Sequence, residues 1–350
     1  MLPSLFNTVT KLVPYRLKDS YFIHKMVHKA KSHGRGEGVN SVRPIIEGAV
    51  LAAIFSILLF IVLYMPIIGM FFLFCLPIPF IIYVVHHGLK NGLLLLVVAL
   101  FITYIIGSIA TVPLAFTYGT AGLAMGYIYS LRKSAYAVLV GGSLTLMVNL
   151  VLLFVLSNLL FNVNIVEDTK NMMHESIKTG EEMFKALGRP TDQFELMYES
   201  IDMISYVVPS VIVLISVLFT ITTQFFAGQI FKRLKIDYQP FPPLRQWTFP
   251  KSLLWYYLIV SILIMFGITE SEDALLYSII LNLFLVLEIV MTIQGISFLF
   301  FYFYIKNKSL AIPVTITIVS FIIPFLMYII RILGIIDLGF DLRKRMKNPQ

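Results

Sequence analysis

ALLYSIILNLFLVLEIVMTIQGISFLFFYF, residues 274–303, runs for thirty residues with one charge, Glu288, halfway along it. About 20 apolar residues already suffice to cross a hydrocarbon layer of ~30 Å as a helix, whereas strands of a membrane barrel alternate over about ten residues. No such alternation appears in this run or in the other apolar segments, so the fold class is all-α. The composition agrees: 58% of the 350 residues are hydrophobic, 13% are charged, and the mean hydropathy of +0.87 exceeds what a water-soluble core needs. The sequence therefore predicts a polytopic transmembrane helical bundle. Further apolar segments at about 45–64, 66–86, 91–110, 112–130, 135–162, 205–230, 253–268 and 310–335 give eight or nine membrane helices.

The first of these begins behind some forty polar and basic residues and has no small-residue cleavage site after a short apolar core, which makes it an anchor and not a removable signal. Cys75 is the single cysteine, so no disulfide can form within the chain.

Charge placement orients the bundle. Residues 1–43 carry eight Lys and Arg against Asp19 and Glu37, the pattern of a basic arm that seeks an anionic lipid surface. The turns on that side hold Lys90, Arg132 and Lys133, while those near Met65-Pro66 and Thr111-Val112-Pro113 hold no charge. The excess of positive charge puts the N-terminus in the cytoplasm, and the net charge of +8 is thereby assigned to the bilayer and not to nucleic acid. Residues 163–204 hold nine of the nineteen acids and are expected outside. Met173, Ile177, Phe184 and Leu187 share one helical face, as do Phe194, Met197, Ile201 and Ile204, so this stretch reads as two amphipathic helices, either a lid over the bundle or a solvated hairpin. Asp192 and Glu195 have the spacing of a capping box.

The chain thus divides into the arm 1–43, a six-helix membrane domain 44–230 with its acidic external loop, a loop 231–252, and a C-terminal part 253–350. The loop has five bases and one acid, Trp247 and three phenylalanines. Prolines 240, 242, 243 and 250 forbid a continuous helix there, leaving an extended stretch that either anchors on headgroups or docks a partner. Nine crossings would leave the basic tail DLRKRMK outside, against the charge rule. Either the last segment, interrupted by Pro324 and Arg331, is re-entrant, or the tail is external.

Several residues are candidates for function. Ala49 and Ala53 form a small-xxx-small pair with Ala52 beside them, and Gly122 and Gly126 another; small side chains let helix backbones approach, either within this chain or with a separate protein. Tyr104, Tyr118, Asn158, Tyr206 and Ser210 fall in the outer half of the first six helices, with Asn149 near mid-depth. These six define either an outward-opening pocket for a small molecule or a set of interhelical hydrogen bonds. Glu288 must be protonated, paired or facing water, and pairing with Arg331 requires a bend in the last segment. His24 and His28 lack a carboxylate or Cys to complete a metal site, and neither a nucleophile elbow, a zinc-protease motif nor a phosphate loop is present. The sequence therefore predicts no enzyme, cofactor or metal.

RPIIEGAVLAAIF, GTAGLAMGY, PPLRQWTFPKSLLWYYL, IQGISFLFFY and RILGIIDLGFDLRKRMK, taken in order over residues 41–347, resemble the YybS-like family of membrane proteins of Gram-positive bacteria. The first part is similar to the S components of energy-coupling factor transporters, six-helix proteins that capture a small molecule from outside. That resemblance implies an S-component-like fold for the first six helices and docking of a coupling subunit at Ala49 and Ala53. The three helices after residue 250 have no counterpart in an S component, and the arm before Ser41 exceeds the family's usual start, as an upstream initiation codon would explain. The function expected is small-molecule capture or uptake with partner subunits. The alternative is a membrane scaffold that recruits protein partners through its basic loops without a ligand.

Overall fold

A computed structural model describes residues 37–266 and 274–347; most of the basic arm and the acidic turn 269–273 lie outside the described residues. Among the described residues there are helices, short 3-10 turns and loops, with no strand. The helices are α1 (Glu37–Tyr64), α2 (Pro66–Phe72), α3 (Ile78–Gly107), α4 (Val112–Ser130), α5 (Ala135–Phe161), α6 (Ile165–Ala186), α7 (Asp192–Asp202), α8 (Ile204–Leu234), α9 (Lys251–Met265), α10 (Ala274–Ile305), α11 (Ala311–Ile322), α12 (Pro324–Phe340) and α13 (Leu342–Lys347). Two units are distinct: an N-terminal one ending at Val50, whose described part is the start of α1, and a second from Leu51 to Gln350. Among the described residues six apolar spans are long enough to cross a membrane, while α9 and α11 are shorter, at 15 and 12 residues.

The longest of those spans, Pro66–Gly107, reverses direction inside itself. Gly88 has φ 80° and ψ 170°, a conformation open in practice to glycine alone. Beyond it Gly92 comes back against the Val84 side chain, a pair eight residues apart that a continuous helix would hold far from each other. Nothing lies within 4 Å of where a Cβ at Gly88 would stand, so a methyl group there meets only backbone strain. Gly88→Ala should lower stability by about 1–3 kcal/mol, read as a lower midpoint of thermal unfolding in detergent. An unchanged midpoint would mean that the reversal does not depend on glycine.

The two arms of this reversal pack on α4. A Cβ at Gly122 would meet the Pro77 carbonyl at 2.5 Å, and one at Gly126 the Cα of Ile81 at 3.0 Å. The Gly122 and Gly126 face is therefore filled by this chain's own helix. Phe55, Phe80, Ile81, Val84 and Ala99, all fully buried, continue this core from the Leu51–Tyr64 part of α1 through α3.

α6 and α7 pack on each other through Ile177, Phe194 and Ile201, with Phe184, Tyr198 and Ile204 around them. Met173, Leu187 and Met197 of the expected faces are exposed. The capping box does not form: Thr191 is the N-cap of α7, without a side-chain cap bond, and Asp192 is already the first helical residue. This acidic pair of helices joins one end of α8, and the basic loop after Leu234 leaves the other.

The end of the chain holds the answer to the tail's charge. Ile323 is extended (φ −109°, ψ 100°) and Pro324 starts the next helix, where its missing N–H costs nothing. α11 and α12 pack against each other across this break, and both pack on α10. The contacts Glu288 with Arg331, Gln294 with Asp337 and Ser297 with Arg343 advance together, so α12 runs parallel to α10. The chain thus reverses between α11 and α12, and the tail lies beside the 231–252 loop, through Arg343 with the Arg245 carbonyl and Asp341 with Lys251. This is the course that the re-entrant alternative expects.

Candidate functional site

Three of the sequence stretches singled out above, around residues 242–258, 293–302 and 331–347, meet at one buried polar cluster. Gln294 and Ser297 stand one helical turn apart on α10 and are fully buried. Gln294 accepts from the Phe249 N–H at 3.1 Å through Oε1 and donates through Nε2 to Asp337 Oδ2 at 2.5 Å. Asp337 is 4% exposed, and its countercharge is Arg343, whose Nε lies 2.8 Å from Oδ2. The remaining guanidinium nitrogens are also engaged: Nη1 donates to the Arg245 carbonyl at 3.1 Å and Nη2 to Ser297 Oγ at 3.0 Å. Ser297 Oγ is 2.6 Å from both the Leu244 and Trp247 carbonyls, its single proton serving one at a time. A buried charge without such partners would be prohibitively costly, so the cluster explains how an aspartate survives here.

The effect is to pin a proline-rich loop. Pro243, Trp247 and Pro250 have extended dihedrals around a 3-10 turn at Leu244–Gln246, as the prolines demand. Trp247 donates its indole N–H to the Pro242 carbonyl at 2.9 Å and packs with Phe241 and Tyr136. Phe241 and Trp247 of the loop, both half-buried, thus fold onto Tyr136 of α5. Lys251 holds Asp341 at 2.5 Å, and that ammonium keeps the Asp341 carboxyl below its usual range. Arg132 and Asp237, 3.5 Å apart and both highly exposed, add little.

The helix crossing below this cluster is tight. Gly295 and Gly334 bring the backbones of α10 and α12 into contact, a Cβ at either falling on a backbone atom of the other helix. Glu288 and Arg331 form an ion pair in the same crossing, and Arg331 Nε donates to Thr292 Oγ1 at 3.4 Å. The bend that this pairing requires is the break at Ile323–Pro324.

The six pocket candidates are not gathered in one place. Tyr118 stacks on Phe219 (4.8 Å between centroids, 21°), and Asn149 donates to Thr120 Oγ1 at 2.9 Å and to the Thr145 carbonyl at 2.8 Å, both within the packing of α4, α5 and α8. Tyr206 and Ser210 lie at the contact of α8 with α10. Pro209 interrupts the helical ladder there, and the Asn282 amide fills the interruption by accepting from the Ser210 N–H at 2.7 Å and donating to the Tyr206 carbonyl at 2.5 Å. Tyr104 and Asn158 are exposed on separate helices. Ala53 is exposed whereas Ala52 is buried; Ala49, in the N-terminal unit, is exposed as well.

Three cavities open instead toward the basic end. Two of about 350 Å³ flank Arg245, one lined by Leu244, Phe300, Phe303, Tyr304 and Lys308, the other by Gln246, Thr248, Phe301 and Arg343. A third of about 240 Å³ is lined by Tyr129, Gln224, Lys232 and Tyr238 among others. None of the six pocket candidates lines them. Sequence reading missed Gln294, Ser297, Asn282 and Asp337. The available signal was an uncharged polar residue recurring on one face of a long apolar run, and an aspartate two turns after an arginine.

A chain built of long apolar helices, with most buried polar side chains of the described residues hydrogen-bonded inside the bundle, is a multi-pass helical membrane protein. It belongs to the family described as "Predicted membrane protein (DUF2232)", whose model matches residues 53–338. It is similar to "Uncharacterized protein YybS" of Bacillus subtilis (strain 168), 33% identical over 312 residues that cover 88% of this chain and the whole of that relative. No solved structure matches the chain.

Proposed function

We propose that this protein is a membrane-embedded docking component of the bacterial cytoplasmic membrane, with its basic end in the cytoplasm, that recruits an acidic segment of a protein partner. The observation that carries the reading is the pinned loop. Asp337, Arg343, Gln294 and Ser297 fix residues 242–249 against α10, and around that frame stand exposed Lys232, Arg233, Lys235, Lys344 and Arg345. A preordered basic surface loses less entropy on binding than a flexible one and draws acidic partners electrostatically. The orientation is supported by the segregation of charge, acids at one end of α8 and bases at the other, with the tail at the basic end.

Small-molecule capture is the second reading. The exposure of Ala49 and Ala53 among the described residues favours it, because small side chains at an exposed helix surface suit the close approach of a coupling subunit. It ranks lower because the six polar side chains line none of the three cavities.

Recovery of partners with tagged full-length protein after mild detergent extraction tests both. Lys344→Glu with Arg345→Glu should lower recovery of the docked partner about tenfold, the equivalent of ~1.4 kcal/mol. Recovery of an ATPase and a coupling subunit that is indifferent to those reversals and abolished by Ala49→Leu with Ala53→Leu would overturn docking in favour of capture.

A further inference from the structure

α10 ends in Tyr302-Phe303-Tyr304-Ile305 and is followed at once by Lys306 and Lys308 before the next apolar helix starts at Ala311. Aromatic residues and then lysines at the end of an apolar span mark the level of lipid headgroups. One of the 350 Å³ cavities lies at this level, a size within the ~300–1,000 Å³ of small-molecule sites. Its lining is two-sided. Arg245 and Lys308 supply positive charge, and Phe300, Phe303, Leu310 and Pro313 supply an apolar wall. Neither cation has a carboxylate partner among the described residues. Arg245 lies over the Tyr304 ring at 3.9 Å, which fixes the guanidinium plane and leaves its N–H edge for an acceptor. Arg343, by contrast, spends its donors on Asp337, Ser297 and the Arg245 carbonyl.

We infer that this cavity is a binding site for an anionic phospholipid, the phosphate held between the Arg245 guanidinium and the Lys308 ammonium and an acyl chain laid on Phe300, Phe303, Leu310 and Pro313. Arg presents a rigid fork to phosphate oxygens and Lys a mobile point charge, a combination suited to a phosphodiester at a membrane surface. A soluble phosphate ester would make no use of the apolar wall, and a zwitterionic lipid would bring its own cation against two others. The inference goes beyond protein docking and does not depend on it, since the loss of a docked partner in the Lys344 and Arg345 variants leaves this cavity as it is.

The test is native mass spectrometry of the full-length protein in detergent, titrated with phosphatidylglycerol and, separately, with phosphatidylcholine. Phosphatidylglycerol should remain bound, and Arg245→Gln and Lys308→Gln should each weaken its retention about fivefold. Lys133→Gln, on the same face but outside the cavity, should leave retention unchanged. Thermal unfolding of each variant separates loss of the site from loss of the fold; Arg245 joins the buried cluster through its backbone carbonyl only, and Lys308→Gln gives the reading alone should the other variant unfold. Equal retention of phosphatidylcholine, equal weakening in Lys133→Gln, or no weakening in either cavity variant would overturn the inference. Displacement of the lipid by millimolar glycerol phosphate would overturn it too, by making the ligand a soluble phosphate ester.

Discussion

Asp337→Ala should destabilise the protein by about 3–5 kcal/mol, the cost of leaving a buried charge without its partner. The substitution strands Arg343, whose side chain is 12% exposed, and removes the acceptor of the Gln294 amide. Because Gln294 and Arg343 also hold the Phe249 N–H and the Arg245 carbonyl, the loop should come free before the helices separate. Limited proteolysis would read this as new cleavage at Arg245, and thermal unfolding in mixed micelles as an earlier transition. Asp337→Leu combined with Arg343→Met should recover most of the lost stability, since apolar residues of similar volume often replace a buried ion pair at little cost. The double variant should nevertheless keep the loop cleavable, because the bonds to the Arg245 carbonyl and Ser297 are not restored. A loss within ~0.5 kcal/mol for Asp337→Ala, the range of surface substitutions, would show that the cluster is not a structural latch.

That latch was partly written in the sequence, and the part that was hidden has a physical reason. Hydropathy identifies a helix because ~20 apolar residues in a row have few other uses, and so the apolar character of residues 274–303 and the extended proline loop could be read directly. Gly122 and Gly126, four apart, likewise predicted a close helix contact, which the chain supplies from Pro77 to Val84. Register is different. Whether Glu288 meets Arg331 depends on a reversal at Ile323–Pro324 that a proline permits but does not impose, since proline also sits at the first turn of uninterrupted helices. Asp337 escaped notice because it stands near the end of an apolar segment, where a charge is ordinarily solvated; only the parallel run of α12 along α10 brings it under the loop. Tyr104, Asn158, Tyr206 and Ser210 share a depth in the sequence reading, but depth fixes one coordinate of three. Rotation about each helix decides whether side chains converge, and a nearly uniform apolar surface carries little information on rotation.

The same crossing gives the other large effect. Gly334→Val should prevent α12 from reaching α10, with a loss of ~3 kcal/mol or more, at the upper end of what overpacking costs. A Cβ at Gly334 would fall on the Met291 carbonyl and the Gly295 backbone, and one at Gly295 on the Ile330 carbonyl, so the obstruction is main chain on both sides and cannot be relieved by a change of rotamer. In a membrane this contact has no hydrophobic force behind it, and close backbone packing is what holds two such helices together. Separating them also pulls Arg331 away from Glu288 and leaves two charges inside the bundle without their ion pair. The expected result is a shift of the detergent-solubilised protein from a single species to aggregate, together with access of a charge-selective reagent to Glu288. Gly339→Ala on the same helix is the control: the nearest atom to its added methyl is Leu254 Cδ2 at 3.6 Å, an ordinary contact, and alanine favours the helix by about 0.8–1.0 kcal/mol over glycine. If Gly334→Val behaves like Gly339→Ala, then α12 does not lie against α10, and with it fall the parallel run, the return of the tail to the basic face and the pinned loop that depends on both.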